Sequence, residues 1–155
     1  MHYTPIVLIG RIKELDRIGA LLDAARRSHG GALLVRGDAG IGKTALLSAV
    51  RAGTTHCRVL YTCGIETEAP LPFAALAGLL GPILDRRAAL PGPQAAAIAG
   101  ALALAPPTPG DRYAVCAATL GLLRAAAADG PVLVVIDDAH WLDAATAECV
   151  AFAAR

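Results

Sequence analysis

The sequence predicts an α/β fold with three layers, in which helices cover both faces of a mostly parallel sheet. Three observations support this prediction. Apolar runs typical of strands alternate along the chain with segments of helical spacing. The run over residues 131–136 is uninterrupted, as in a central parallel strand that is covered on both faces. The length gives room for a single core, so we expect residues 1–155 to form one domain.

The first half of the chain predicts two helices and two strands. Apolar residues recur at helical spacing from Arg11 onward, and the glycine pair at positions 30 and 31 ends this helix. The short apolar run over residues 32–36 is a predicted strand, which leads into a glycine-rich loop and a second helix over residues 43–52. Residues 58–63 have β-branched and aromatic character and form the second predicted strand.

The second half predicts a helix from Pro72 to about Asp85, followed by a less informative segment. Over about residues 86–110, clusters of proline and glycine flank an alanine-rich helix, and we interpret this segment as a helical insert at the surface. Asp111 can cap the helix that follows, and Asp143 can cap the last helix, after the apolar strand.

The composition excludes several classes of protein. With 14 basic and 13 acidic side chains and no dense basic run, this segment is not expected to contact nucleic acid directly. The four cysteines lie far apart without C-x-x-C spacing, which predicts neither a zinc site nor a disulfide framework. The N-terminus lacks the basic start and long apolar run of a signal peptide or membrane span. We therefore expect a cytoplasmic protein without membrane contact.

One segment carries a specific chemical signature. Residues 37–44 read GDAGIGKT and fit the pattern G-x-x-x-x-G-K-[ST], between a predicted strand and a predicted helix. Glycines let consecutive backbone N–H groups turn toward a phosphate, and the N-terminus of the next helix favours the same anion. Lys43 adds a full charge near the β- and γ-phosphates, and Thr44 offers a hydroxyl to Mg²⁺. The predicted nucleotide-binding residues here are Gly37, Asp38, Ala39, Gly40, Ile41, Gly42, Lys43, Thr44 and Ala45.

An acidic pair supplies the expected second half of such a site. Asp137 and Asp138 follow the apolar strand directly, and a carboxylate at the end of a strand near the loop can hold Mg²⁺ through water. We assign this metal role to Asp137. Asp138 is then placed to orient or deprotonate the attacking water, a role usually filled by the longer glutamate. The sequence thus predicts a site for ATP and Mg²⁺, with Lys43 and Asp138 as the residues that act in hydrolysis.

Four blocks of sequence together resemble a known family. They are LIGRIKEL at residues 8–15, GDAGIGKT at 37–44, LPFAALAGLLGPILD at 71–85 and VLVVIDDAHWLDAAT at 132–146. In this order they resemble the N-terminal ATPase module of the large ATP-binding LuxR-type transcriptional regulators, of the STAND class of AAA+-related P-loop ATPases. The resemblance implies that the loop and the acidic strand are the Walker A and Walker B motifs. It also implies that Gly10 and Arg11 lie on the adenine side of the nucleotide, in a pocket lined by Leu8 and Ile9.

The resemblance also implies that parts of the parent protein lie outside this chain. In the family, a later strand with a polar sensor residue lies between the loop strand and the acidic strand. We therefore expect a P-loop sheet truncated before its last strands, without the helical lid, the regulatory arm and the C-terminal DNA-binding domain. Unpaired strand edges favour self-association. Weak turnover or none is expected from this chain alone.

Two other functions stay open at this point. A P-loop kinase for a small molecule or nucleoside would place the acidic strand directly beside the loop strand. Against it, the candidate lid over residues 91–110 contains no arginine. A non-catalytic fragment is compatible with every motif.

Overall fold

The sheet in the described part of the chain is a parallel pair of strands. The structure, a computed structural model, describes residues 10–106 and 112–155. Strand β1 (Arg58–Cys63) pairs with strand β2 (Val132–Asp137), from Arg58 opposite Val132 to Cys63 opposite Asp137. Because parallel strands run in the same direction, Cys63 and Asp137 end side by side at the carboxyl edge.

Six α-helices accompany this pair in the described part of the chain. They are α1 (Ile12–Arg26), α2 (Lys43–Gly53), α3 (Ala74–Leu80), α4 (Gly92–Ala101), α5 (Arg112–Ala127) and α6 (Ala144–Ala153). Short 3-10 segments cover Glu66–Glu68, Gly81–Ala89 and Ala139–Trp141. None of the helices in this part of the chain is long and apolar enough to cross a membrane.

Helices cover both faces of the sheet, which confirms the predicted three-layer α/β architecture. Successive side chains of a strand point to opposite faces. Val132 and Val134 contact the larger core cluster, which is built from β1, α3, α4, α5 and α6. Leu133 contacts the smaller cluster, in which Ile18 of α1 packs with Leu46 and Val50 of α2. Helix α2, which follows the glycine-rich loop, therefore lies on the same face of the sheet as Leu133.

The predicted strand over residues 32–36 is not a strand in the structure. Leu33 and Val35 pack against the smaller core cluster, whereas Leu34 between them is 67% exposed. The segment thus keeps the alternation of a strand with one buried face. It pairs with no strand in the described part of the chain, where the sheet consists of β1 and β2. An apolar pattern can set which side chains are buried, but a strand also needs a partner backbone.

The helix predicted from Pro72 to about Asp85 is shorter in the structure. Helix α3 ends at Leu80, and the chain continues as the 3-10 segment Gly81–Ala89. The physical cause is Pro82, which has no N–H to donate to the carbonyl group four residues earlier.

The segment over residues 86–110, interpreted from the sequence as a surface insert, contributes to the core. Ile98 of α4 is fully buried within the larger cluster. A Cβ atom added to Gly121 of α5 would lie 2.6 Å from Leu90 Cδ2, so this segment packs directly against α5. The surface interpretation is therefore wrong for α4, because its small alanine side chains let it approach α5 closely. The expected cap Asp111 lies outside the described residues.

Candidate nucleotide-binding site

The glycine loop has a stereochemical reason for each of its three glycines. Gly40 and Gly42 have positive φ angles of 76° and 93°, which L side chains rarely adopt. A Cβ atom on Gly37 would lie 2.9 Å from Ile41 Cγ2. Helix α2 begins directly after this loop, and no side chain caps its N-terminus. The first backbone N–H groups of α2 are therefore available to an anion.

Lys43 is held across the loop by backbone oxygens. Its ammonium group donates to the carbonyl groups of Gly37 and Asp38, at 2.9 Å each. These acceptors are neutral, so a phosphate oxygen with a full charge would be a stronger partner for the same ammonium. Thr44 is exposed beside Lys43. The loop thus presents a cation and a hydroxyl at the start of α2.

Arg11 connects the start of α1 to the loop. Its guanidinium donates to Glu14 Oε1 at 2.8 Å and to the carbonyl oxygen of Ile41. The structure therefore brings Arg11 to the phosphate loop, and Gly10 precedes it with a φ of 76°. Their predicted place near adenine stays a prediction, and Leu8 and Ile9 lie outside the described residues.

The two acidic residues have different environments. Asp137 ends β2 and is 6% exposed, and its Oδ1 accepts the backbone N–H of Asp138 at 3.0 Å. Asp138 is exposed and has left-handed backbone angles, φ 44° and ψ 45°. Aspartate tolerates this conformation better than most residues. The carboxylate of Asp137 is therefore held in place, whereas that of Asp138 is open to solvent.

The register of the sheet places Asp137 on the face that α1 and α2 cover. Asp137 shares the face of Leu133, which packs against α1 and α2. On β1, the guanidinium carbon of Arg51 in α2 lies 3.6 Å from the centroid of the Tyr61 ring, so Tyr61 and Cys63 point to this face too. Helix α2, which directly follows the loop, and the buried carboxylate of Asp137 thus lie on one face of the sheet.

Gly64 is a residue of this site that the sequence reasoning missed. A Cβ atom at this position would lie 2.3 Å from the carbonyl oxygen of Asp138 and 2.9 Å from the nitrogen of Leu142. The N–H of Gly64 also donates to the carbonyl oxygen of Asp137 at 2.9 Å. Only glycine fits beneath the turn that Asp137 and Asp138 form after β2, which we call the acidic turn. The available signal in the sequence was a glycine directly after a predicted strand.

We expect Gly64→Ala to displace the acidic turn and to destabilise the protein by roughly 1–3 kcal/mol, because the new methyl group meets backbone atoms. Denaturant unfolding measures the stability. The fluorescence of Trp141, the single tryptophan, reports on the turn itself. Gly19→Ala on α1 is the matched control, since a Cβ atom there meets nothing within 4 Å. Equal stability and emission in both variants would contradict this role of Gly64.

Asp143 joins the acidic segment to the start of α3. Its carboxylate is buried and caps α6, as predicted, by accepting the Thr146 N–H at 2.8 Å and the Thr146 hydroxyl at 2.6 Å. It also accepts the N–H groups of Phe73 at 2.8 Å and Ala75 at 3.3 Å. Burial by itself would raise the pKa of Asp143, but the bonds from Thr146, Phe73 and Ala75 together lower it. The Asp143 carboxylate thus accepts hydrogen bonds at the N-terminal ends of both α3 and α6.

The thiol groups differ in accessibility. All four cysteines are free, and Cys57 and Cys63, at opposite ends of β1, are half-buried. Burial raises the pKa of the Cys63 thiol, and the carboxylates of Asp138 and Asp137 raise it further. Cys116 and Cys149 are buried with their sulfur atoms 3.5 Å apart, and burial raises the pKa of Cys149 to about 12.

Comparison with known proteins identifies the family. The family model described as "AAA ATPase domain" matches residues 7–155. The chain belongs to this AAA ATPase domain family. It is 29% identical over 175 aligned residues to the uncharacterized protein R02095 of Rhizobium meliloti (strain 1021), with 96% of this chain covered. The chain spans about 17% of the length of that relative. No solved structure gives a significant match.

The residues present fit the ligands that an AAA ATPase domain implies. The positive φ angles of Gly40 and Gly42 and the close approach at Gly37 favour glycine at these three loop positions, in agreement with the phosphate-loop pattern. The described residues contain no group of three or more His, Cys, Asp or Glu side chains that could hold a metal by themselves. Mg²⁺ is typically bound by one or two protein oxygens together with the phosphates of the nucleotide, and a hydroxyl and a carboxylate suit it. The domain is thus a P-loop ATPase module.

Proposed function

We propose that this AAA ATPase domain is the ATP-binding, slowly hydrolysing switch module of a LuxR-type transcriptional regulator of the STAND class. The observation that carries the proposal is that α2, which begins at the phosphate loop, lies on the same sheet face as the buried carboxylate of Asp137. The four sequence blocks at residues 8–15, 37–44, 71–85 and 132–146 support the regulator context. In this proposal, the effector-sensing and DNA-binding parts belong to the longer protein.

The loop and the start of α2 hold the phosphates. Residues 37–45 present backbone N–H groups, and Lys43 exchanges the carbonyl groups of Gly37 and Asp38 for phosphate oxygens. Thr44 and Asp137 are the residues that would hold Mg²⁺. When bound, this ion neutralises the negative charge on the phosphates. The bond from Arg11 to the Ile41 carbonyl fixes the loop against α1.

Asp138 is the residue proposed to act on the attacking water. Its carboxylate is exposed, and its backbone is fixed by the bond from its N–H to Asp137. A carboxylate within hydrogen-bond reach of a water can orient it and accept its proton. Aspartate is one methylene shorter than the glutamate usual at this place, which favours slow hydrolysis. Slow hydrolysis suits a switch, because bound ATP then keeps the protein in its ATP-bound state for longer.

The kinase alternative has no observation in its favour. It requires the acidic strand directly beside the loop strand. In the described part of the chain, β2 pairs with β1, and residues 32–36 form no strand that pairs with β2.

We expect Asp138→Asn to slow ATP hydrolysis about 100-fold or more while ATP affinity stays within about twofold, because asparagine cannot accept the proton. Asparagine also tolerates the left-handed backbone of this position, so the turn should be kept. Single-turnover hydrolysis measures the rate, and titration calorimetry measures the affinity. Asp16→Asn, an exposed carboxylate on α1, is the control. Loss of binding together with hydrolysis would instead make Asp138 a structural or metal-holding residue.

A further inference from the structure

The thiol of Cys63 lies against the carboxylate of Asp138. The sulfur atom is 3.9 Å from Asp138 Oδ2, although the two residues are 75 positions apart in the sequence. Cys63 is the last residue of β1 and pairs with Asp137 across the sheet. The strand register therefore brings Cys63 next to the turn that carries Asp138.

Among the described residues, Cys63 is the one side chain that donates a hydrogen bond to the Asp138 carboxylate. The sulfur also lies 3.4 Å from the carbonyl oxygen of Gly64, which competes for the same hydrogen. A charged carboxylate is a stronger acceptor than a backbone carbonyl group. A thiol is protonated at neutral pH even at its ordinary pKa, so it acts as a donor here.

Cys63 and Gly64 contact different parts of the turn formed by Asp137 and Asp138. Gly64 lies beneath the backbone of the acidic turn and donates to the carbonyl oxygen of Asp137. Cys63 touches the end of the Asp138 side chain. The backbone of Asp138 is fixed by its left-handed angles, but its exposed carboxylate can still rotate about χ1 unless a donor restrains it.

We propose that Cys63 is a positioning residue for Asp138, in that its thiol holds the carboxylate in the orientation that serves the attacking water. This inference rests on the proposed ATPase function. The thiol touches neither the nucleotide nor the reacting water in this scheme. Its effect appears in the rate of hydrolysis and leaves ATP binding unchanged.

The test compares three variants of the full chain. Cys63→Ala removes the donor, and Cys63→Ser keeps a donor of similar size. Cys57→Ala is the matched control, because Cys57 is the other half-buried thiol at β1 and contacts the carbonyl oxygen of Arg58 instead. Single-turnover hydrolysis with protein in excess over radiolabelled ATP gives the rate. Titration calorimetry with ATP and Mg²⁺ gives the affinity, and thermal unfolding gives the stability.

We expect Cys63→Ala to slow hydrolysis about fivefold, the equivalent of one modest hydrogen bond, with ATP affinity within about twofold of the wild type. Cys63→Ser should restore at least half of the wild-type rate, and Cys57→Ala should match the wild type. A wild-type rate in Cys63→Ala would overturn the inference. So would a serine variant as slow as the alanine variant, since packing and not the donor would then matter, or a fall in ATP affinity that matches the fall in rate.

Failure of the inference and failure of the proposed function give different results. A wild-type chain that does not bind ATP would refute the proposed function. A wild-type chain that binds ATP and shows no hydrolysis within a single turnover would overturn both the inference and the proposed hydrolytic role of Asp138, and ATP binding would stand. A wild-type chain that hydrolyses ATP at the same rate as Cys63→Ala would overturn the inference alone.

Discussion

Replacing Lys43 with alanine should lower the affinity for ATP and Mg²⁺ at least about tenfold, because a hydrogen bond to a charged group contributes roughly 1.5–3 kcal/mol. The structure adds a second effect of the same sign. The ammonium now holds the carbonyl groups of Gly37 and Asp38 at 2.9 Å each, so its removal also loosens the loop that must cradle the phosphates. Titration calorimetry at fixed salt and fixed Mg²⁺ measures the change.

Lys13 provides the matched control for this experiment. It is the other lysine of the chain and lies exposed on α1. Lys13→Ala removes the same charge from the protein, so it corrects for the long-range attraction of an anionic ligand. Affinity that falls equally in both variants would show that only net charge matters. Unchanged affinity in Lys43→Ala would exclude the loop as the phosphate site. Thermal unfolding should show that both variants remain folded.

The parts of the site that could be predicted from the sequence depend on neighbouring residues. The glycine loop is one of them, because the positive φ angles of Gly40 and Gly42 and the close approach at Gly37 are requirements within a single loop. The cap formed by Asp143 is another, since its carboxylate reaches an N–H group three residues later. The apolar run of β2 also predicted a strand between two layers correctly.

The parts that were missed depend on contacts between distant segments. Gly64 matters because the turn after β2 packs directly against it. Cys63 matters because its thiol contacts Asp138, which lies 75 positions later in the sequence. Neither contact can be recognised from the neighbouring residues in the sequence. Residues 32–36 show the opposite error: the local pattern is that of a strand, but the backbone pairs with no strand in the described part of the chain. Burial pattern and strand pairing are therefore separate pieces of information.

The start of α3 shows how a distant residue sets local structure. Phe73 has a positive φ of 65°, which is unfavourable for an aromatic residue, and no side chain of its own segment caps the helix. Its N–H donates to Asp143, and Thr146 Oγ1 accepts the N–H of Leu76 at 3.1 Å. Bonds from another part of the chain thus compensate for the strained entry to α3.

We expect Asp143→Ala to destabilise the protein by about 3 kcal/mol or more, because it removes one N-cap and leaves several buried N–H groups without an acceptor. The groups affected are the N–H donors of Phe73, Ala75 and Thr146 and the hydroxyl of Thr146. Denaturant unfolding at neutral pH measures the loss. Asp143→Asn keeps an oxygen acceptor but brings an NH₂ group toward other donors. Its stability should therefore lie between that of the wild type and that of Asp143→Ala.

The dependence of stability on pH separates the role of the charge from that of packing. Because the bonds lower the pKa of Asp143 in the folded protein, its contribution is present above the unfolded pKa of about 3.9 and is lost as the pH falls through the lower folded value. The difference in stability between wild type and Asp143→Asn should therefore shrink on acidification below about pH 4. Asp16→Ala, which removes an exposed carboxylate from α1, should leave the neutral-pH stability within about 0.5 kcal/mol. A wild-type and Asp143→Asn pair whose stability difference is the same at every pH would show that the ionised carboxylate does not hold the two helices.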